Sequence, residues 1–253
     1  MNLFKKKFLI YKKGPLSFFN DLERFMMKPG YICVLSVHGF SYSLINEIFS
    51  EALNNSLANL PDGMPVKLYA SFETSSHVER IYGPDLMVDI LNNFNNFKNR
   101  KVFFLGGNEH VRIKMIDKIN TIYPNISVVG FDTGFIDIDA PNNLLINSIN
   151  KHNPDIVFIG LGCPKQELWM YKNYKKINSL LIGVGAAFDF FAETKKQAPK
   201  WLQNIYLEWA FRLSQEPRRL FMRYFKYNSI FLIHTLARLI AYLFNKIKFK
   251  TKL

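Results

Sequence analysis

Three short loops in this chain have the residue types of a phosphate cradle. Gly106-Gly107 in LGGNEH, Gly160-Leu161-Gly162 in GLGCPKQE and Gly183-Val184-Gly185 in GVGAAFD each follow an apolar run, where glycine lets a backbone approach a ligand closely. One such loop is weak testimony, because tight turns from strand to helix use glycine without any ligand. Three in succession point to a nucleotide or diphosphate pocket. Countercharge for it is available downstream in Arg212, Arg218, Arg219 and Arg223. Arg212 and Arg219 are seven residues apart and would share a face of one continuous helix, unless Pro217 bends it. A solvated basic face is the plainer alternative. Asp137-Ile138-Asp139 is an Asp-x-Asp of the kind that holds a divalent cation on a nucleotide diphosphate. Asp139 before Ala140-Pro141 is more economically a helix N-cap, so no metal is expected.

The elements that would position these residues alternate. KVFFLGG (101–107), ISVVGF (126–131), DIVFIGLG (155–162) and SLLIGVG (179–185) are short β-rich runs. Between the first two, Asn108 is a plausible N-cap, and Val111, Met115, Ile119 and Ile122 recur at helical spacing until Pro124-Asn125. Further helices are expected over 142–151 and from Pro164. Apolar runs separated by amphipathic helices imply crossovers and a parallel sheet covered on both faces. The expected fold is an α/β/α sheet of Rossmann-like type.

Composition narrows the class. The chain has 253 residues, 49% apolar, enough to bury a substantial core. Its two cysteines, Cys33 and Cys163, suggest neither a disulfide framework nor a cysteine zinc site, and a reducing cytoplasm is expected. The opening MNLFKKKFLIYKKGPLSFF lacks the apolar run and cleavage site of a secretory signal, so export is not expected. The net charge of +13 is unevenly spread. Residues 195–253 carry thirteen Lys and Arg against Glu208 and Glu216, a net +11, which leaves +2 for the rest. A near-neutral body with a basic, aromatic tail is built to meet phospholipid, a diphosphate or nucleic acid.

PDGMPV (61–66), ERIYGPDL (79–86), FFLGG (103–107), GLGCPKQELW (160–169), GVGAAFDFFA (183–192), KQAPKWLQNIYLEWAFRL (196–213) and QEPRRLFMRY (215–224) occur in that order. Over residues 30 to 225 this set resembles the WecG/TagA/CpsF family of bacterial glycosyltransferases. The resemblance implies transfer of a sugar, N-acetylmannosamine or a related hexose, from a UDP-sugar to a polyprenyl-diphosphate-linked sugar at the cytoplasmic membrane face. It further implies inversion and no required metal or other cofactor.

The residues can be weighed against that chemistry, which needs a base for the acceptor hydroxyl and cations for the departing diphosphate. Asp62 resembles the family's proposed base, although Pro-Asp-Gly alone would be an ordinary turn. Arg80 resembles a pocket arginine. Gln166 could aim its amide at sugar or uracil, and Lys165 is either a phosphate contact or an exposed helix lysine. Asp189, among Phe188, Phe190 and Phe191, needs a partner if buried: a donor hydroxyl, a pocket arginine or a helix end. Where the family usually has Thr-x-Asn, this chain has Ser36 and His38, which puts sugar specificity in question and offers an imidazole that titrates near neutrality.

Residues 1–195 are thus expected to form the catalytic domain and 196–253 a helical basic appendage. Within it, SIFLIHTLARLIAYLF (229–244) is a sixteen-residue apolar run, short of the ~20 residues that span a bilayer. His234, Thr235, Arg238 and Asn245 fall on one side, which suggests a helix lying in the interface of an anionic membrane, followed by the lysines of KIKFKTK. The expected localisation is peripheral, on the inner face of the cell membrane, and self-association is possible. Two other classes stay open: a nucleotide sensor that binds single-stranded nucleic acid, disfavoured by the apolar run, and a silent scaffold, disfavoured by intact Asp62 and Arg80.

Overall fold

The structure is a computed structural model that describes residues 10–138 and 140–250, with side chains as far as Phe244. Its elements in chain order begin with α1 (Pro15–Met26), β1 (Gly30–Leu35), α2 (Val37–Ile45), α3 (Glu47–Asn55), β2 (Ala58–Pro61), α4 (Met64–Thr74) and α5 (Gly83–Phe94). There follow β3 (Arg100–Gly106), α6 (Glu109–Ile122), β4 (Ile126–Asp132), α7 (Asn143–His152), β5 (Ile156–Gly160), α8 (Lys165–Asn173), β6 (Leu180–Gly183) and α9 (Ala187–Phe191). Three helices close the chain: α10 (Lys200–Asn204), α11 (Glu208–Gln215) and α12 (Pro217–Lys250).

The six strands form one all-parallel sheet in the order β2-β1-β6-β5-β3-β4. The strands are apolar on both faces because both faces are covered. In β5, Ile156 and Phe158 turn to a core shared with α1, α5, α6 and α9, while Val157 and Ile159 turn to a second core shared with α2, α3, α7 and α8. Phe104 stacks on Phe158 across neighbouring strands at 5.5 Å. Asn108 caps α6 by accepting from the Val111 N–H at 2.9 Å, as its position in the sequence anticipates. The cap of α7 is Asn142 by position; Asp139, the expected cap, lies outside the described residues.

The glycines of the first loop serve the sheet. Gly106 sits at φ +125° opposite Gly160, and a Cβ there would stand 2.7 Å from the Gly160 carbonyl carbon. Gly107, at φ +75°, would press a Cβ on Val111. Both are needed where β3 passes β5 and turns into α6.

The last helix runs along α2 and α4, and its docked side is polar and aromatic. Ser41 Oγ donates to the Tyr227 carbonyl at 2.7 Å, and Phe40 meets Phe231 ring to ring. Tyr69 Oη lies 3.1 Å from His234 Nε2, and Arg238 makes two bonds to Glu73 at 2.6 and 2.9 Å. His234 and Arg238 therefore face the body, and the outer side presents Phe221, Met222, Phe225, Leu232, Ile233, Leu236, Ile240, Leu243 and Phe244. Arg212 and Arg219 do not share one continuous helix, since α11 ends at Gln215 and α12 begins at Pro217. The lysines of KIKFKTK have no described side chains.

Gly106→Ala is expected to lower folding stability by about 2 kcal/mol or more, from the left-handed φ and the contact with Gly160. Urea unfolding of the variant at an unchanged midpoint would remove this structural role.

Candidate functional site

Four adjacent strands, β2, β1, β6 and β5, end at one edge of the sheet, and the loops after them wall a cavity of about 680 Å³. The turn from β1 into α2 supplies Ser36 and His38, the loop after β2 Asp62, the end of β5 and its loop Gly160 to Cys163, and the loop after β6 Val184 to Ala186. Arg80 and Tyr82, just before α5, and Gly83, its first residue, form another wall. Glu208, Arg212, Arg219, Arg223 and Tyr227 of the last two helices cover it.

Asp62 is held at both ends of its residue. Its N–H donates to the Leu35 carbonyl at 3.1 Å, and its Oδ1 accepts from the Gly83 N–H at 3.1 Å. Its own carbonyl oxygen accepts from Arg80 Nε. Burial pushes the carboxyl above the ordinary Asp range against the opposing pull of the Arg80 charge, and the carboxylate of Glu208 adds to the rise. Arg80 lies over the Tyr82 ring at 4.4 Å and pairs through Nη2 with Glu208 Oε2 at 2.8 Å, while the Tyr82 hydroxyl donates to Glu208 Oε1 at 2.8 Å.

Ser36 caps α2, its Oγ accepting from the Gly39 N–H at 3.4 Å. His38 packs against Tyr227 at 4.2 Å between ring centres. Burial and the charges of Arg223 and Lys226 push its pKa down to about 4. The imidazole is therefore neutral at physiological pH, which corrects the expectation of titration near neutrality.

Gln166 is buried at the cavity floor with both ends of its amide engaged. Its Oε1 accepts from the Gly185 N–H at 3.1 Å, and its Nε2 donates to Glu167 Oε1 at 2.9 Å. It holds the turn after β6, and Glu167 fixes which way the amide points. Glu167, which no motif or spacing singles out, is itself buried, and burial pushes its carboxyl up to about 7. Gly162 differs from Gly106: at φ +76° its missing Cβ would meet no protein atom within 4 Å, and it opens on the cavity.

Asp189 finds its partners in Thr194, whose Oγ1 donates at 3.3 Å, and in Lys195 at 3.4 Å. Arg212 lies over the Phe190 ring at 5.4 Å, and Arg219 pairs with Glu216. Arg219 is exposed, whereas Arg223 is half-buried. Burial, with Arg219 and Arg212 nearby, pulls its pKa down, and its Nε is buried without a hydrogen-bond partner among the described residues. Three guanidinium groups that repel one another at a cavity wall form a site an anion would relieve. Gly106, Gly107, Lys165 and Arg218 do not line the cavity; Lys165 and Arg218 are exposed. Asp139 is outside the described residues, and among these no cluster of three His, Cys, Asp or Glu side chains is placed to hold a metal.

A model of the family described as "Glycosyl transferase WecG/TagA/CpsF family" matches residues 15–244. Among curated proteins, the chain is 32% identical over 173 residues to an N-acetylglucosaminyldiphosphoundecaprenol N-acetyl-beta-D-mannosaminyltransferase of Bacillus subtilis (strain 168), covering 68% of this chain and 66% of that protein. A protein of the same description from Bacillus spizizenii is 30% identical over 176 residues, covering 69% and 66%. One from Staphylococcus aureus (strain MW2) is 28% identical over 181 residues, covering 71% and 70%. The chain thus spans about two thirds of the length of the relatives it matches.

Glu167 ties pH to stability. The unfolded chain ionises it near the ordinary 4.5, whereas the folded chain keeps the proton to about pH 7, so its contribution to stability falls as pH rises through that window. The full difference is about 3 kcal/mol as an upper bound. Glu167→Gln keeps an acceptor for Gln166 and removes the titration, so its stability relative to the parent should rise between pH 5 and pH 8. Parallel urea midpoints for the two proteins across that range would contradict this.

Proposed function

The chain belongs to the WecG/TagA/CpsF family of glycosyltransferases, and from that premise we propose that it moves a sugar from a UDP-sugar onto a polyprenyl-diphosphate-linked sugar in cell-surface polysaccharide synthesis. The sugar is N-acetylmannosamine or a related hexose, by analogy with the relatives' names. The observation that carries the reading is a single cavity that joins a half-buried carboxylate, Asp62, to a cluster of arginines, Arg212, Arg219 and Arg223.

In the proposed reaction Asp62 accepts the proton of the acceptor hydroxyl as that oxygen forms a bond to the anomeric carbon. The bond from that carbon to the diphosphate oxygen breaks, and UDP leaves with the electron pair. One displacement inverts the anomeric centre. A carboxyl whose pKa is raised is the stronger base once ionised, which suits it to the proton transfer. The arginines supply the positive charge for the leaving diphosphate, so no divalent cation is required. Gly162 and Gly185, both at positive φ on the cavity wall, leave room for the backbone to approach the phosphates.

The acceptor is a lipid, and α12 offers it a surface. Residues Pro217–Phe244 are long enough to cross a membrane, and their most apolar 18-residue stretch is apolar enough, with mean hydropathy 1.3. The helix is nonetheless tied to the body along its polar side by Tyr227, His234 and Arg238. We therefore read it as lying on the membrane with Leu232, Leu236 and Ile240 toward the acyl chains, on the cytoplasmic face.

Two experiments test this reading. Asp62→Asn should reduce transfer by about 10²–10⁴-fold while UDP binding stays near that of the parent, because the base acts on the acceptor. Assayed with UDP-sugars and lipid extract in excess EDTA, the parent should retain turnover; full turnover by the variant would remove Asp62 from the mechanism. Separately, Leu236→Glu with Ile240→Glu should release the protein from vesicles containing anionic lipid without lowering its unfolding temperature. Unchanged flotation would put the membrane contact elsewhere.

A further inference from the structure

Of the two acidic residues in the basic C-terminal stretch, Glu208 is turned inward, with its side chain 13% exposed. It opens α11 and takes hold of two residues just before α5: Arg80 through Oε2 and Tyr82 through Oε1, each at 2.8 Å. The guanidinium of Arg80 is planar, so fixing Nη2 on Glu208 and stacking the group on Tyr82 also fixes the direction of Nε. Nε points at the carbonyl oxygen of Asp62, not at its carboxylate. The carboxylate is left with the Gly83 N–H and an open side toward the cavity.

A guanidinium beside a carboxylate in a half-closed pocket pairs with it when nothing else is offered. Glu208 is what else is offered. We propose that Glu208 is a positioning residue: by occupying Arg80 it keeps that cation on the peptide of Asp62 and off its carboxylate, so the base is competent only while α11 is docked. This rests on the reading of Asp62 as the base.

The charged and titratable groups that face Asp62 are Arg80 and Tyr82 from the segment before α5 and Glu208 and Arg212 from α11. Arg80 and Arg212 pull the carboxyl down and Glu208 pushes it up. Neutralising Glu208 therefore exposes Asp62 to the full Arg80 charge, and its pKa falls. The acid limb of kcat/KM against pH, which reports the free enzyme, should follow it downward.

The test uses the full chain with Glu208→Gln, and with Glu208→Gln and Arg80→Gln together. The single variant is expected to lose about 10–100-fold in kcat with little change in the donor KM, and its acid limb should move to lower pH by roughly one unit. In the double variant the limb should return upward, because Arg80 carries the effect. Thermal unfolding and UDP affinity, measured alongside, separate this from loss of the fold; Glu208→Asp, which keeps the charge, should keep the acid limb. A loss of kcat with an unmoved acid limb in a folded Glu208→Gln protein means that Glu208 only supports structure, and overturns the proposal. Parental kinetics in Glu208→Gln overturn it as well. If Asp62→Asn itself turns over normally, the base reading fails first, and this proposal fails with it.

Discussion

An ion pair between neighbours in a low-dielectric pocket is easily formed and hard to break, and a carboxylate that forms one is a poor base. The site is organised around denying Asp62 that pairing. Arg80 is close enough for its charge to pull on Asp62, yet its hydrogen bond goes to the peptide oxygen, and the partner that holds it there arrives from a helix 128 residues further along the chain. Burial does the remainder. With the Gly83 N–H as its only hydrogen bond among the described residues, the carboxyl sits above its ordinary range.

The sheet makes this arrangement available. Strands β2, β1, β6 and β5 are neighbours in space although β2 and β6 are far apart in sequence, so loops from both ends of the α/β body converge on one cavity. Parallel strands all end on the same side, and the turns after β5 and β6 carry glycines where a side chain would fill the opening. Gln166 then joins two of these loops, reaching from α8 to the Gly185 N–H, and the buried Glu167 sets its orientation.

The sheet and the helix after Asn108 were legible because burial on both faces leaves unbroken apolar runs and because an Asn cap announces the helix it starts. The second and third glycine loops were legible for the same reason, as ends of such runs, whereas Asp62 stood out only through its likeness to the family's motif, its own Pro-Asp-Gly reading as an ordinary turn. The first loop was not, since Gly106 serves the close passage of β3 by Gly160, and no local pattern separates a glycine that makes room for a strand from one that makes room for a ligand. His234 and Arg238 were read as one polar side of a helix lying in a membrane interface; here Tyr69 and Glu73 on α4 receive them, a pairing across some 165 residues that periodicity does not carry. Glu208 gave no signal, being one of two acids in a basic stretch. Its meaning depends on Arg80 and Tyr82, which only folding brings near.

The last helix is also a mechanical object. It is one rod of 34 residues, about 50 Å long, with Arg219 and Arg223 near one end, apolar residues toward the other, and Tyr227 tied to Ser41 between them. Arg219 lies about 12 Å from that tie and Phe244 about 25 Å on the other side. The ties at Tyr227, His234 and Arg238 hold the rod along about 17 Å of its length, so it has no single pivot and its two ends keep a fixed relation to each other. The arginine end therefore stands at a set height above whatever surface the apolar end rests on.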